Sequence, residues 1–139
     1  MTSYLLDSGF LYALIDDRDV HHKAVVDARS FVGGRVVFPV PAITEVSYFV
    51  RMNLGAAALS TFLEDLSKTP DLSLESPLPS DYARTAEILR KYNDANIDFV
   101  DACIVAIAER LNITKILTVD RRHFSIFRPN HCDAFEILP

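Results

Sequence analysis

The chain has 139 residues, half of them hydrophobic, and carries 19 acidic against 14 basic side chains for a formal net charge of -5. That length and apolar content fit one domain, residues 1–139, with a sizeable core, and no shift in composition marks a second. The acidity excludes a general electrostatic sleeve for nucleic acid but leaves room for a local basic rim, and it suits a basic protein partner.

Tyr4-Leu5-Leu6 reads as a short strand that ends at Asp7, after which Ser8-Gly9 opens a helix with Phe10, Leu11, Leu14 and Ile15 at helical spacing. No basic segment precedes an apolar run here, and no stretch of the chain approaches the roughly 18 uncharged residues of a membrane span, so a cytoplasmic protein is expected. Asp19 is placed to cap a second helix with Val20, Ala24, Ala28 and Phe31 on one face, ending at Gly33-Gly34. His21 and His22 are adjacent on it, so their rings diverge and do not make a metal pair. Val36-Val37-Phe38 is a second strand, and Ala42 to Met52 a helix in which Glu45 stands between Ile43 and Val46.

Gly55 separates that helix from another at Ala56 to Ser67, followed by a strand at Leu72-Ser73-Leu74. Ser80 or Asp81 caps the next helix, with Tyr82, Ala86 and Leu89 as its buried stripe and Arg84, Arg90 and Lys91 on the solvated side. The longest apolar helix begins near Phe99 and ends near Leu111-Asn112. Lys115 to Val119 is a β-branched strand that ends at Asp120 and enters the charged turn Arg121-Arg122-His123-Phe124, and Ala134 to Leu138 is the last strand. The cysteines, Cys103 and Cys132, lack CxxC spacing, so neither a disulfide framework nor a zinc site is indicated. Strands alternating with helices predict an α/β/α sandwich around a mainly parallel sheet.

Four acids stand out against this pattern. The run Phe99 to Ala108 carries a single charge, Asp101, with Asp98 three residues earlier on the same face. A carboxylate among apolar side chains costs several kcal/mol unless it is paired, hydrogen-bonded or bound to a cation. Asp7 and Asp120 end strands, at the sheet edge where open parallel sheets place their sites, and Glu45 sits in a helix that follows such an edge. Taken singly, Asp7, Asp101 and Asp120 are explained as helix caps or dipole partners. Taken together, the four acids form an oxygen-only donor set suited to a hard cation such as Mg2+, with Mn2+ as an alternative, and to hydrolysis of a phosphodiester. His123, beside two arginines, is expected to meet substrate or phosphate rather than metal.

Leu-Leu-Asp-Ser at residues 5–8, Thr-Glu-Val at 44–46, Phe-Val-Asp-Ala-Cys-Ile-Val-Ala-Ile-Ala-Glu-Arg-Leu at 99–111 and Leu-Thr-Val-Asp-Arg-Arg-His-Phe at 117–124 resemble the PIN-domain ribonucleases. Within them the chain is most similar to the VapC-type toxins of bacterial type II toxin–antitoxin pairs, over nearly its whole length. The resemblance implies a PIN-like fold and a magnesium-dependent endoribonuclease that uses metal-activated water. It also implies a homodimer, inhibited by a small VapB-like antitoxin whose tail occupies the acidic groove. Residue by residue, Asp7, Glu45, Asp101 and Asp120 match the catalytic quartet, and Asp7, Asp101 and Asp120 are the expected metal ligands, with Asp98 a less regular match. Ser8 and Thr118 stand where hydroxyls orient those carboxylates, and Arg121 and Arg122, with Arg128, are expected to supply a basic rim for RNA. Three alternatives share part of the pattern. One is a PIN-type RNA-processing nuclease without an antitoxin, and another is a catalytically silent module that binds a basic partner. The third, a phosphate-accepting receiver domain, is disfavoured because Thr118-Val119-Asp120 stands where a receiver has a strand-ending lysine.

Overall fold

The computed structural model describes residues 1–139. Its centre is a sheet of five strands, β1 (Thr2–Leu6), β2 (Gly34–Pro39), β3 (Leu72–Glu75), β4 (Lys115–Leu117) and β5 (Glu136–Leu138), in the order β3-β2-β1-β4-β5. Every pairing is parallel. Strands covered on both faces carry apolar residues without alternation, and Tyr4-Leu5-Leu6 and Val37-Phe38 are accordingly all buried.

Helices α1 (Ser8–Ile15) and α2 (His22–Arg29) connect β1 to β2, and α3 (Val40–Leu54) and α4 (Ala56–Lys68) connect β2 to β3. The chain then passes through α5 (Pro79–Lys91) and α6 (Phe99–Leu111) to β4, and through α7 (Arg121–Phe124) to β5. Helix α1 packs on α2 and α3, and α3 on α4, whereas α5 packs on α6. Right-handed crossovers in this strand order put the first four helices on one face and α5 and α6 on the other, which gives the expected α/β/α sandwich. No helix is long and apolar enough to cross a membrane.

Helix α6 is the core's central element. Val100 and the unbroken run from Ala102 to Ala108 are buried, and Ala102, Cys103, Ala106 and Ala108 are small enough to let the helix lie close to its neighbours. It ends at Asn112, whose φ of 55° is the left-handed cap that asparagine tolerates.

Two helices present other faces than their apolar spacing predicts. In α2 the buried residues are Val25 and Ala28, while Val20 and Phe31 fall outside the helix and are 89% and 78% exposed. Asp19 caps nothing there, its side chain accepting instead from the His21 N–H. In α5 the buried stripe is Asp81, Thr85 and Ile88, and Tyr82 is exposed. The cause is ionic. Asp81 accepts from Arg110 Nε at 2.9 Å, while Arg110 Nη2 lies 3.0 Å from Glu75, so one guanidinium ties α6 to α5 and to the end of β3. Arg84 is likewise drawn inward onto Glu109, at 2.7 and 3.0 Å.

The sheet order fixes where chemistry can occur. Successive connections run one way from β1 to β3 and the other way from β4 to β5, so the direction reverses between the adjacent strands β1 and β4. A crevice opens at such a switch point beyond the carboxyl ends of the strands. Asp7 follows β1 and Asp120 follows β4 by only a few residues.

Candidate metal and catalytic centre

Asp7 leaves β1 with its backbone N–H still in the sheet ladder, donating to the Leu117 carbonyl at 2.9 Å. Its side chain then caps α1, Oδ1 accepting from the Ser8 N–H at 2.8 Å. The buried hydroxyl of Thr118 donates to Asp7 Oδ2 at 2.7 Å and accepts from the Asp120 N–H at 3.0 Å, so one side chain ties the ends of both central strands together. The first turn of α1 approaches this edge closely: a Cβ on Gly9 would stand 3.0 Å from Val119 Cγ2, so a larger residue there would require the Val119 side chain to shift by a few tenths of an ångström.

Glu45 reaches the same place from the second turn of α3. Ser8 Oγ donates to Glu45 Oε1 at 2.8 Å, so the residue after Asp7 also holds Glu45. From the opposite face, Asp98 and Asp101 form a reciprocal capping box at the start of α6: the Asp101 N–H donates to Asp98 Oδ1 at 3.0 Å and the Asp98 N–H to Asp101 Oδ2 at 3.4 Å. Asp120 caps α7, accepting from the His123 N–H at 3.1 Å, and its Oδ2 lies 2.8 Å from His123 Nδ1. Thus the structural explanation of these acids is correct as far as it goes, since Asp7, Asp98 and Asp120 each cap a helix. It does not account for their convergence.

The electrostatics record that convergence. Burial pushes the Asp7 carboxyl up to about 6, aided by the charges of Glu45 and Asp120 and opposed by its hydrogen bonds from Thr118 and Ser8. Asp101 is pushed up to about 7 by burial and by the charges of Asp98, Asp7 and Asp120. Glu45 is raised by burial and by Asp98, against the Ser8 hydrogen bond. No lysine or arginine forms an ion pair with any of these carboxylates; the lone basic neighbour is His123. An array of acids this short of positive charge fits a divalent cation held by oxygen ligands. One donor atom each from Asp101, Asp120 and His123 already lies within 4.8 Å of the others.

His123 is therefore turned toward the carboxylates, with Nδ1 also 3.8 Å from Asp101 Oδ2, and not outward to substrate as its neighbours in sequence suggest. The three arginines also separate. Arg121 donates to the Pro139 and Ile137 carbonyls at 2.9 and 3.0 Å, so its guanidinium is turned toward β5. Arg128 is taken up by the Ser125 and Phe127 carbonyls. Arg122 is exposed and unpaired. A cavity of about 890 Å³ lies apart from the acids, between α1, α4 and the sheet, where Leu11, Leu14, Leu54, Phe62 and Leu66 line it. Apolar spacing in α1 and α4 carries no signal for such a gap, because the same side chains would equally close over it.

Residues 4–128 match the model of the PIN domain family. The chain is 30% identical over 135 residues to the ribonuclease VapC26 of Mycobacterium tuberculosis, covering 97% of this chain and 99% of that one. Among solved structures, Mycobacterium tuberculosis VapC20, described as a toxin that cleaves the sarcin–ricin loop, superposes with a TM-score of 0.75 at 17% identity, over 81% of this chain and 86% of that one. VapBC2 of Rickettsia felis, bound to a DNA fragment from its promoter, superposes with a TM-score of 0.69 at 15% identity, over 99% of this chain and all of that one.

Proposed function

Because the chain belongs to the PIN domain family, and within it to the VapC group, we propose that it is a metal-dependent endoribonuclease acting as the toxin of a type II toxin–antitoxin pair. The observation that supports this reading is the convergence of Asp7, Glu45, Asp101 and Asp120 at the sheet's switch point with no lysine or arginine to neutralise them. In this reading Asp7, Asp101 and Asp120 hold Mg2+ or Mn2+, with Asp98 at the rim of the set. A cation there supplies Lewis-acid polarisation of the scissile phosphate and acidifies water. The side chains do the rest. Thr118 and Ser8 fix the carboxylates of Asp7 and Glu45 in place, and Glu45, raised by burial, is the carboxylate best suited to accept a proton from the attacking water. Arg122 meets the RNA backbone at the edge of the acidic centre. Exposed Tyr82 and Phe99, stacked with ring centroids 6.2 Å apart, offer an apolar face for a homodimer.

Two experiments test the proposal. The purified protein should cleave RNA only with Mg2+ or Mn2+ present, and metal at about 100 times its dissociation constant should add about 3 kcal/mol of stability, on the order of 10 °C in melting temperature. That gain should be large at pH 8 and small at pH 5.5, because protons on Asp7 and Asp101, at about 6 and 7, compete with the cation. Cleavage that survives chelation, with no metal-dependent shift, would sink the reading.

The antitoxin is tested by co-expression. A small protein encoded beside this one, with a disordered basic tail that folds along the acidic groove, should co-purify and silence cleavage by placing an arginine or lysine among the carboxylates. Its affinity should fall at least about tenfold for the double variant Asp7→Asn/Asp101→Asn. A neighbour that binds yet leaves cleavage undiminished would mark a nuclease without an antitoxin.

A further inference from the structure

We infer that His123 is itself a metal ligand through Nδ1, and that this nitrogen makes the centre prefer Mn2+ to Mg2+. The inference rests on the metal-dependent reading above and concerns which ion the centre takes. Adjacent ligands at about 2.1 Å from an octahedral ion stand roughly 3 Å apart, and opposite ones roughly 4.2 Å. His123 Nδ1 is 2.8 Å from Asp120 Oδ2, the spacing of adjacent ligands, and 3.8 Å from Asp101 Oδ2, and the three donor atoms lie within 4.8 Å of one another, so small side-chain rotations bring them round one ion.

The backbone explains why the ring is held there. Asp120 Oδ1 accepts from the His123 N–H while Oδ2 faces the ring, so the cap that starts α7 also sets the imidazole against the carboxylate. The half-buried ring makes no hydrogen bond through Nε2. Without an ion, Nδ1–H donates to Asp120 Oδ2; a cation that takes the Nδ1 lone pair moves that proton to Nε2, with no change in the charge of the ring. Mg2+ strongly favours oxygen ligands, whereas an imidazole nitrogen shifts preference toward transition-metal ions.

Pulsed electron paramagnetic resonance of the Mn2+-loaded protein tests this directly, with Mn2+ and Mg2+ affinities of the wild type and of His123→Gln measured beside it. The wild type should show nitrogen-14 modulation from one coordinated imidazole. His123→Gln should lose that modulation and bind Mn2+ at least about tenfold more weakly, with Mg2+ affinity changed less than about threefold. Bound Mn2+ without nitrogen modulation in the wild type, a result that needs no variant, would overturn the inference and leave the oxygen-liganded centre standing. Equal losses for both ions in His123→Gln would also overturn it, reducing the ring to a group that positions Asp120. Failure of the wild type to bind either ion would overturn this inference together with the metal-dependent reading.

Discussion

Asp7→Asn should lower RNA cleavage by at least about 100-fold and, in metal-free buffer at pH 8, make the protein more stable. The loss exceeds the 10–100-fold typical of changing a group that only orients a metal ligand. The gain has the opposite origin. Burial and neighbouring charge raise the Asp7 carboxyl to about 6, so the folded protein holds that proton more tightly than the unfolded chain does. Its contribution to stability is complete below about pH 4 and is lost as pH rises through 6. Asparagine is neutral throughout, so the variant escapes a penalty on the order of 3 kcal/mol above pH 7. It can still accept from the Ser8 N–H and donate to the Thr118 hydroxyl, which keeps one lone pair beside the one that accepts from the Asp120 N–H. Thermal melts of both proteins between pH 4 and pH 8, alongside cleavage of a defined RNA, measure both effects. An active variant, or one whose stability relative to wild type is independent of pH, would remove Asp7 from the centre.

Asp81→Ala should be the most damaging change outside the centre, costing about 3–5 kcal/mol in urea unfolding. Asp81 is 2% exposed and takes both the Arg110 guanidinium and the Leu78 N–H, at 2.9 and 2.8 Å. Its loss strands a half-buried arginine with Glu75 alone and uncaps α5. Asp81→Asn keeps the cap acceptor and loses the charge, so it should fall between. A loss below about 1 kcal/mol in the alanine variant would show that solvent reaches Arg110 and that the pair is worth no more than a surface one.

The acids were legible because an isolated charge in an apolar run has few cheap explanations, and Asp101 within Phe99 to Ala108 is such a charge. The strand ends at Asp7 and Asp120 were legible for a related reason: buried parallel strands are written as apolar runs, and their ends show. Sheet order was not, since β1 pairs with β4 across more than a hundred residues and no local pattern records the partner. The face of α5 was misjudged because apolar spacing treats Asp81 as exposed, whereas its ion pair lies 29 residues away. The directions of His123 and Arg121 are not legible from their neighbours in the chain. Side chains adjacent in a charged turn take opposite directions once Asp120 caps the turn and β5 offers carbonyls to a guanidinium.

Three of the carboxylates that crowd this centre, Asp7, Asp98 and Asp120, also begin helices. Alanine scanning, the usual way of ranking such residues, is therefore confounded at these positions. Each alanine would remove a helix start worth about 1 kcal/mol along with a charge, and Asp98, at the rim, would look as important as Asp7 for reasons of folding alone. Asparagine begins a helix about as well as aspartate, so an asparagine series separates the two roles that each residue carries. The same double duty constrains sequence drift. On the proposed reading, a single Asp→Asn change would cost the activity while keeping the shape, which leaves an inactive protein that competes for the same partner at reduced affinity.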